Sequence, residues 1–395
     1  MNILTIQYKN FKSLFSKEIC IYTLILIFHL MRKTVFNKAR NMGDTSVDSS
    51  TFLLLICIAL NLYVVLKNNT ILGISIKQTR LYLYYIIWCF FSFLWSIVPG
   101  FNAIFIKDAE VLSSYLFLSV VLYKIKSKYD AMVYLLYVTT FATSLGILRS
   151  VLLGGGFHTN TYSLTGALGV ILALGMYKIY RYEWIKLHLL INLTCLIVGT
   201  SSASYISCLV ALLVYISSSK RGVNPLKIIF VGTILYFGFS AIKDVLYEYI
   251  FYGHSKDSIE GGTGRYEIWE EFFEGWKLSP WLGHGFIIGE RNLSAMGGRP
   301  FIFSCHNGYL SILVNTGIIG CLFMLPLFFK TIFRCIKDSY NTFCGPESTV
   351  LLSCLIVLLI NNLSYPAFGS DWNYTFPPIM LLIILILTIR SKTCN

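Results

Sequence analysis

The chain has 395 residues, 56% of them apolar, 16% aromatic and only 13% charged, with a mean hydropathy of +0.67. So little charge cannot cover a soluble surface of that size, and the composition is that of an integral membrane protein. The formal net charge of +13 comes from short Lys/Arg clusters between apolar segments rather than from one basic face, which argues against a nucleic-acid partner and reads as topology signals. Of the eleven cysteines, Cys57, Cys89, Cys195, Cys208, Cys321 and Cys354 lie inside apolar runs, where a thiol acts as a small hydrophobe. No disulfide framework or metal-ligand spacing is present.

In chain order, residues 1–50 form an N-terminal segment. Ile19–Met31 is apolar but short, is interrupted by His29 and is followed by Arg32, Lys33, Lys38 and Arg40. It lacks a small-residue cleavage site and reads as a candidate first helix. Spanning helices are expected over Thr51–Leu66, Leu81–Val98, Ala109–Tyr123, Ala131–Leu153, Thr161–Tyr177, Trp184–Val198, Tyr205–Ser217, Pro225–Ile242, Gly308–Phe329, Ser348–Leu363 and Phe376–Ile389. That organises the chain as a bundle over 51–242, a large polar loop over 243–305 and C-terminal helices over 306–395. The fold class is all-α and polytopic, with eleven helices, or twelve with the first.

The Lys/Arg bias of short loops sets the orientation. If successive loops alternate sides, one side collects Lys67, Lys77 and Arg80; Lys124, Lys126 and Lys128; Lys178, Arg181 and Lys186; Lys220, Arg221 and Lys227; Lys330, Arg334 and Lys337; and Arg390 with Lys392. The opposite short loops from Thr51 onward hold only Lys107 and Arg149. The first set is therefore expected on the cytoplasmic side, with Lys243–Cys305 and Ser364–Thr375 outside. The Arg32–Arg40 cluster falls outside in this register and violates the rule.

The large outer loop is the one long stretch rich in charge, glycine and tryptophan, and chemistry is expected there. Tyr247, Tyr249, Tyr252, Trp269, Trp276 and Trp281 suit a membrane interface. Ile268, Phe272, Phe273 and Trp276 recur at helical spacing, with Glu267, Glu270, Glu271 and Glu274 on the remaining positions, which predicts an interfacial helix. A plain lid packed on the bundle would show the same periodicity.

Three local patterns, in this order and topology, resemble the family of O-antigen ligases and O-antigen or capsule repeat-unit polymerases. The first is GGFHTNTYSLTGALGVILALG, a Gly-rich outer loop with Asn160 leading into a helix. The second is TGRYEIWEEFFEGWKLSPWLGHGF, similar to the family's Gly-Arg, apolar residue, Trp and Pro-x-x-Gly-x-Gly order. The third is HNGYLSILVNTGIIG, similar to its His-Asn-x-x-Leu and Gly-x-x-Gly element. The resemblance covers residues 140–330 in detail. It implies a GT-C-like, metal-independent membrane glycosyltransferase without a cofactor, acting at the periplasmic face on glycans carried by undecaprenyl pyrophosphate. One departure stands out: where the family often has an arginine after a Thr-Gly-Ser pattern, this chain has Gly199-Thr200-Ser201-Ser202-Ala203-Ser204. Arg149, Arg291 or Arg299 would then have to supply a second pyrophosphate contact.

Such a reaction must hold two phosphates, stabilise developing negative charge and deprotonate an acceptor hydroxyl. Arg265 suits the phosphates, because a guanidinium offers a fixed fork of donors and stays charged. His306 suits the acceptor, because an imidazole of ordinary pKa near 6.5 is a ready base at external pH. Asn307 is placed to orient that histidine and Asn160 to bind sugar hydroxyls, although both are equally good helix caps. His284, between two glycines, is expected to have a structural role in a tight turn. Asn315, Asn361 and Asn362 are expected to join helices by hydrogen bonds. Asp371, Trp372 and Tyr374 read as an interfacial belt.

The expected function is an O-antigen polymerase moving a glycan from undecaprenyl pyrophosphate to the non-reducing end of another lipid-linked repeat unit. Membrane lipid and a chain-length regulator would be its other partners. The alternatives are an O-antigen ligase, which delivers the glycan to lipid A core, and a lipid-linked oligosaccharide flippase. A transporter should show broken helices, internal repeats or charges at membrane depth, and the sequence displays none of these on its face.

Overall fold

The computed structural model describes residues 14, 16–35, 49–96, 101–125, 127–152, 159–219, 222–223, 233, 265–296, 304–340, 345–367 and 375–388. Among the described residues eight helices make up the first part of the bundle: α1 Lys17–Val35, α2 Ser49–Lys67, α3 Asn69–Phe91, α4 Phe101–Lys124, α5 Lys128–Ile147, α6 Thr159–Tyr180, α7 Trp184–Val198 and α8 Ser202–Ser217. A 3₁₀ turn, Ser92–Leu94, prolongs α3, and a π turn, Leu148–Leu152, prolongs α5. After a two-residue antiparallel ladder, Ser218–Ser219 with Gly222–Val223, come the outer helices α9 Arg265–Lys277 and α10 Gly289–Met296. The bundle closes with α11 Gly308–Ser339, α12 Gly345–Asn361 and α13 Phe376–Thr388.

The protein is an all-α membrane protein. Three segments, Lys128–Ser150, Asn160–Tyr180 and Gly308–Ser339, are long and apolar enough by themselves to cross a membrane. In lipid the backbone must be satisfied internally, so uninterrupted apolar runs become helices whatever their local propensity. Charge enters where a helix begins: Ser127 caps α5, its hydroxyl accepting from the amide of Asp130 at 3.0 Å.

The expected segments are found as helices with altered limits. Ile19–Met31 becomes a helix of 19 residues, buried through Ile19, Tyr22, Leu26 and Leu30. The loop assigned between residues 67 and 80 is itself helical from Asn69, with a non-helical Thr79 (φ −113°, ψ 18°) inside α3. The Pro225–Ile242 expectation lies outside the described residues, as do Arg299, Asp371, Trp372, Tyr374 and most of the outer loop before Arg265.

Long-range bonds sort the helix ends into two sides, as alternating spans require. At one end Lys124 pairs with Glu18 at 2.6 Å, Lys128 donates to Ser348 and the Tyr180 hydroxyl donates to Glu347. At the other, Arg149 donates to the Thr34 carbonyl, the Gly308 amide to the Asn362 carbonyl at 2.8 Å, and Asn361 to the Ser204 hydroxyl at 2.9 Å. α1 reaches both ends and therefore crosses the full depth of the bundle beside α5.

Two expectations from sequence are corrected. Charged groups do lie inside the bundle: Arg32 is buried against Glu110, with Lys107 3.6 Å from the same carboxylate, and Asp108 on the same helix is buried as well. Removal of one partner from a buried pair leaves an uncompensated charge, so the pair fixes how α1 meets α4. Arg32 is thus not a loop charge and drops out of the topology count. His29 extends the cluster through Asn61, 3.0 Å away, whose amide also donates to Ser114. The second correction is that broken helices are present. α11 is interrupted at Gly317 (φ 67°, ψ −171°) and contains Pro326.

Candidate functional site

The break in α11 organises the end of the bundle that carries α9 and α10. A helix interrupted at Gly317 strands the carbonyls just before it and the amides just after it. The segment Pro280–Phe286 inserts there and satisfies them. The amides of His284 and Gly285 donate to the carbonyls of Val314 and Asn315 at 2.9 and 3.0 Å, while the amides of Ile318 and Ile319 donate to the carbonyls of Pro280 and Trp281 at 2.9 and 3.3 Å. The Trp88 indole takes the Thr316 carbonyl at 2.9 Å, the Trp95 indole takes the Leu282 carbonyl at 3.0 Å, and the Ser92 hydroxyl receives the Phe286 amide at 2.9 Å. The end of α3 therefore clamps the inserted segment from the far side.

The glycines of the two motifs follow from this docking. Gly283 and Gly285 have φ of +70° and +107°, and a Cβ at 283 would lie 2.6 Å from the amide nitrogens of Thr316 and Gly317. A Cβ at 317 would sit on the carbonyl oxygen of Trp281. PWLGHG and NTGIIG are two halves of one interlocked element. His284 has its ring nitrogen Nε2 2.8 Å from the carbonyl of Gly275 in α9 and is 2% exposed, a structural placement in the tight turn expected there.

α9 packs on this platform through a small apolar core of Phe272, Leu293, Cys305 and Val314, with Ile268, Trp276 and Leu310 against it. Its outward side carries exposed Glu267, Glu270, Glu274, Tyr266 and Phe273. The predicted 268, 272 and 276 stripe is the buried one, and Phe273 instead faces outward against Trp276. The Trp269 indole donates to the carbonyl of Cys305 at 2.9 Å. That bond fixes α9 to the residue immediately before His306.

His306 is half-buried and adopts a left-handed backbone (φ 51°). Its amide donates to the Ser304 hydroxyl at 3.2 Å. The next residue, Asn307, caps α11: its side-chain oxygen accepts from the amides of Tyr309 and Leu310 at 3.0 and 3.1 Å. The left-handed residue turns the chain sharply out of the loop and into the helix, and the cap starts the helix at Gly308.

Arg265 stands at the first position of α9, one turn before Trp269 on the same face, which is about 6 Å along the axis. It is half-buried, and among the described residues no carboxylate pairs with it, Glu267 included. Burial lowers its proton affinity from the ordinary value, and a guanidinium stays charged through such a shift. A cation at a helix N-terminus stands against the positive end of the macrodipole, an arrangement that an anion relieves. Arg265, the α9 N-terminus and His306 thus share one end of the bundle, tied through Trp269.

The other candidates are placed as follows. Asn160 is buried in the first turn of α6. Arg149 lies in the π turn and is engaged with Thr34 at the end of α1. Arg291 is exposed on α10. The 199–204 stretch without the family arginine joins α7 to α8, where Ser204 bonds Ser201 and Asn361. Among the described residues no group of three or more His, Cys, Asp or Glu could hold a metal ion.

Sequence reasoning missed Glu290. Only 5% exposed on α10, it bonds the Asn315 amide at 3.0 Å and receives the Cys305 amide at 3.0 Å, while its own amide donates to the Asn315 side-chain oxygen at 3.1 Å. Burial pushes its carboxyl above the ordinary range, and these bonds, with the Ser311 and Ser304 hydroxyls, act in the opposite sense. In GERN it looks like half of a solvated Glu–Arg pair, and nothing local to the sequence marks it as buried. Asn315, expected to join helices, does so here between α10 and α11.

The fold and this outer site define a polytopic membrane protein whose one motif-rich outer element is locked onto a broken helix. Residues 187–325, about a third of the chain, match the model of the O-antigen ligase family. The match spans α7 through the first half of α11, including Arg265, the interlocked glycine motifs and His306. It supports the O-antigen ligase and polymerase family, and with it a glycosyltransferase-like enzyme of O-antigen processing in lipopolysaccharide biosynthesis; it does not separate the two branches. No curated protein matches the chain.

Proposed function

We propose that the protein is a metal-independent repeat-unit polymerase of the bacterial inner membrane, acting at its periplasmic face. It transfers a glycan from undecaprenyl pyrophosphate to the non-reducing end of a second lipid-linked repeat unit. The observation that carries this reading is Arg265: an arginine without a carboxylate partner among the described residues, at a helix N-terminus, tied through Trp269 to the turn that presents His306. An anion bound there receives a fork of charge-assisted donors and the helix dipole together. A base on the turn that Trp269 holds could take a proton from an incoming hydroxyl.

In this reading Arg265 neutralises charge that develops on the departing pyrophosphate as the glycosidic bond breaks, and His306 accepts the acceptor's proton. Asn307 is committed to the α11 cap and orients His306 through the backbone. Arg265→Gln is expected to lower kcat/KM for the lipid-linked donor by about 10–100-fold, from the loss of about 1.5–3 kcal/mol of charged hydrogen bonding. Arg265→Lys should recover part of it, and an unchanged kcat/KM in Arg265→Gln would remove Arg265 from donor binding.

The absence of the arginine at 199–204 favours the polymerase branch over the ligase. The broken α11 raises the transporter reading again, but transporter breaks leave helix ends facing a substrate cavity. Here the groups freed at Gly317 are taken by Pro280–Phe286 and by Trp88. Surface polysaccharide from cells lacking the protein distinguishes the three. Lipid A core bearing a single repeat, or accumulated lipid-linked single units, identifies a polymerase. Long polymer retained on its carrier identifies a ligase, and no repeat unit at the outer face identifies a transporter.

A further inference from the structure

We propose that Glu290 is a positioning residue for His306, acting through Ser304 and Cys305. The inference rests on the reading of His306 as the base. His306 ends the turn Ser304–His306 in a left-handed conformation, which costs about 1–2 kcal/mol for a residue with a Cβ. Such a turn persists only when its surroundings over-determine it. The Glu290 carboxylate supplies that determination at two points. One oxygen accepts the Cys305 amide at 3.0 Å. The Ser304 hydroxyl favours the ionised form of the same carboxyl and accepts the His306 amide at 3.2 Å.

The carboxylate is in turn held from the opposite side. Asn315, one residue from Thr316 at the broken end of α11, donates to Glu290 at 3.0 Å and accepts the Glu290 amide at 3.1 Å. Its amide also reaches the Ser311 hydroxyl at 3.2 Å. The geometry links the break at Gly317 to the His306 turn through one buried acid, so the interlocked glycine motifs set the position of the imidazole as well as the packing of α9. The Trp269 bond to the Cys305 carbonyl fixes the next peptide, the one that leads into His306.

The test uses the full-length protein in lipid nanodiscs with an undecaprenyl-pyrophosphate-linked oligosaccharide as donor and acceptor. Glu290→Gln retains size and removes the charge. It is expected to lower kcat by about 10–100-fold, as a displacement of about 1 Å does in a catalytic group, with donor KM within about threefold. Ser304→Ala is the second variant, because it removes only the relay to the His306 amide from a partly exposed loop; it is expected to lower kcat by about 3–10-fold, with unchanged KM and melting temperature. If Glu290→Gln fails to fold, Ser304→Ala decides. Wild-type kcat in the folded variants, beside an inactive His306→Ala, overturns the inference, as does a rise in donor KM at constant kcat. Wild-type turnover by His306→Ala would instead overturn the reading of His306 itself.

Discussion

His306→Ala is expected to abolish glycan transfer while leaving the protein inserted and folded. Removal of a general base costs about 10²–10⁴ in rate, enough to erase polymer on a gel. The fold should survive for specific reasons. His306 lies outside α11, whose cap is the side chain of Asn307, and the backbone amides of Cys305 and His306 are bonded to Glu290 and Ser304. The left-handed φ of 51° burdens alanine about as much as histidine, so backbone strain changes little. Protein abundance and melting temperature near wild type, with no polymer, is the predicted pair of results. Transfer within about threefold of wild type would place the base elsewhere.

Gly317→Ala is expected to have the largest structural effect of any single methyl added to the described residues of the outer site. At φ 67° and ψ −171° the backbone lies in a region that is essentially glycine-only. The new Cβ would also collide with the Trp281 carbonyl oxygen. Relief of that collision requires Pro280–Phe286 to leave the break, which strips the partners from four backbone groups of α11, the carbonyls of Val314 and Asn315 and the amides of Ile318 and Ile319. Each such group left unsatisfied costs about 1–3 kcal/mol, so a drop of more than about 10 °C in melting temperature is expected for the outer element, with loss of transfer. A wild-type melting curve would show that the docking of the two motifs does not hold the break.

Much of the bundle was legible in the sequence because hydropathy reports directly on which backbone must satisfy itself in lipid. Trp184–Val198 is found with its expected limits, and Thr51–Leu66 is extended by only a few residues to Ser49–Lys67. The errors have one cause: polar residues at the edge of an apolar run were read as loop. Arg32 and Asp108 lie just outside the expected segments Ile19–Met31 and Ala109–Tyr123, whereas the helices continue through them, and Arg32 and Lys107 pair with Glu110 inside. The same reasoning placed Lys77 and Arg80 in a loop that is the first part of α3.

At the outer site, the residue types that suit the chemistry were legible and the architecture that presents them was not. Gly-x-x-Gly in NTGIIG looks like a helix contact, but the first glycine breaks the helix, and its partners lie more than thirty residues earlier in PWLGHG. Positive φ leaves no trace in a hydropathy pattern. Glu290 was invisible for a related reason: its carboxylate is satisfied by Cys305 and Asn315, neither of which is near enough in sequence to suggest a buried acid. Trp88 and Trp95 signal an interface by composition alone, yet their indoles are spent on the inserted segment and the broken helix.

The central claim is tested most directly with purified protein in vesicles, given lipid-linked single repeat units as the only glycan and no lipid A core. The account predicts a ladder of longer lipid-linked glycans, one undecaprenyl pyrophosphate released for each bond formed, undiminished by a chelator and absent with His306→Ala. A reaction mixture that yields product only after lipid A core is added would contradict it and make the protein a ligase.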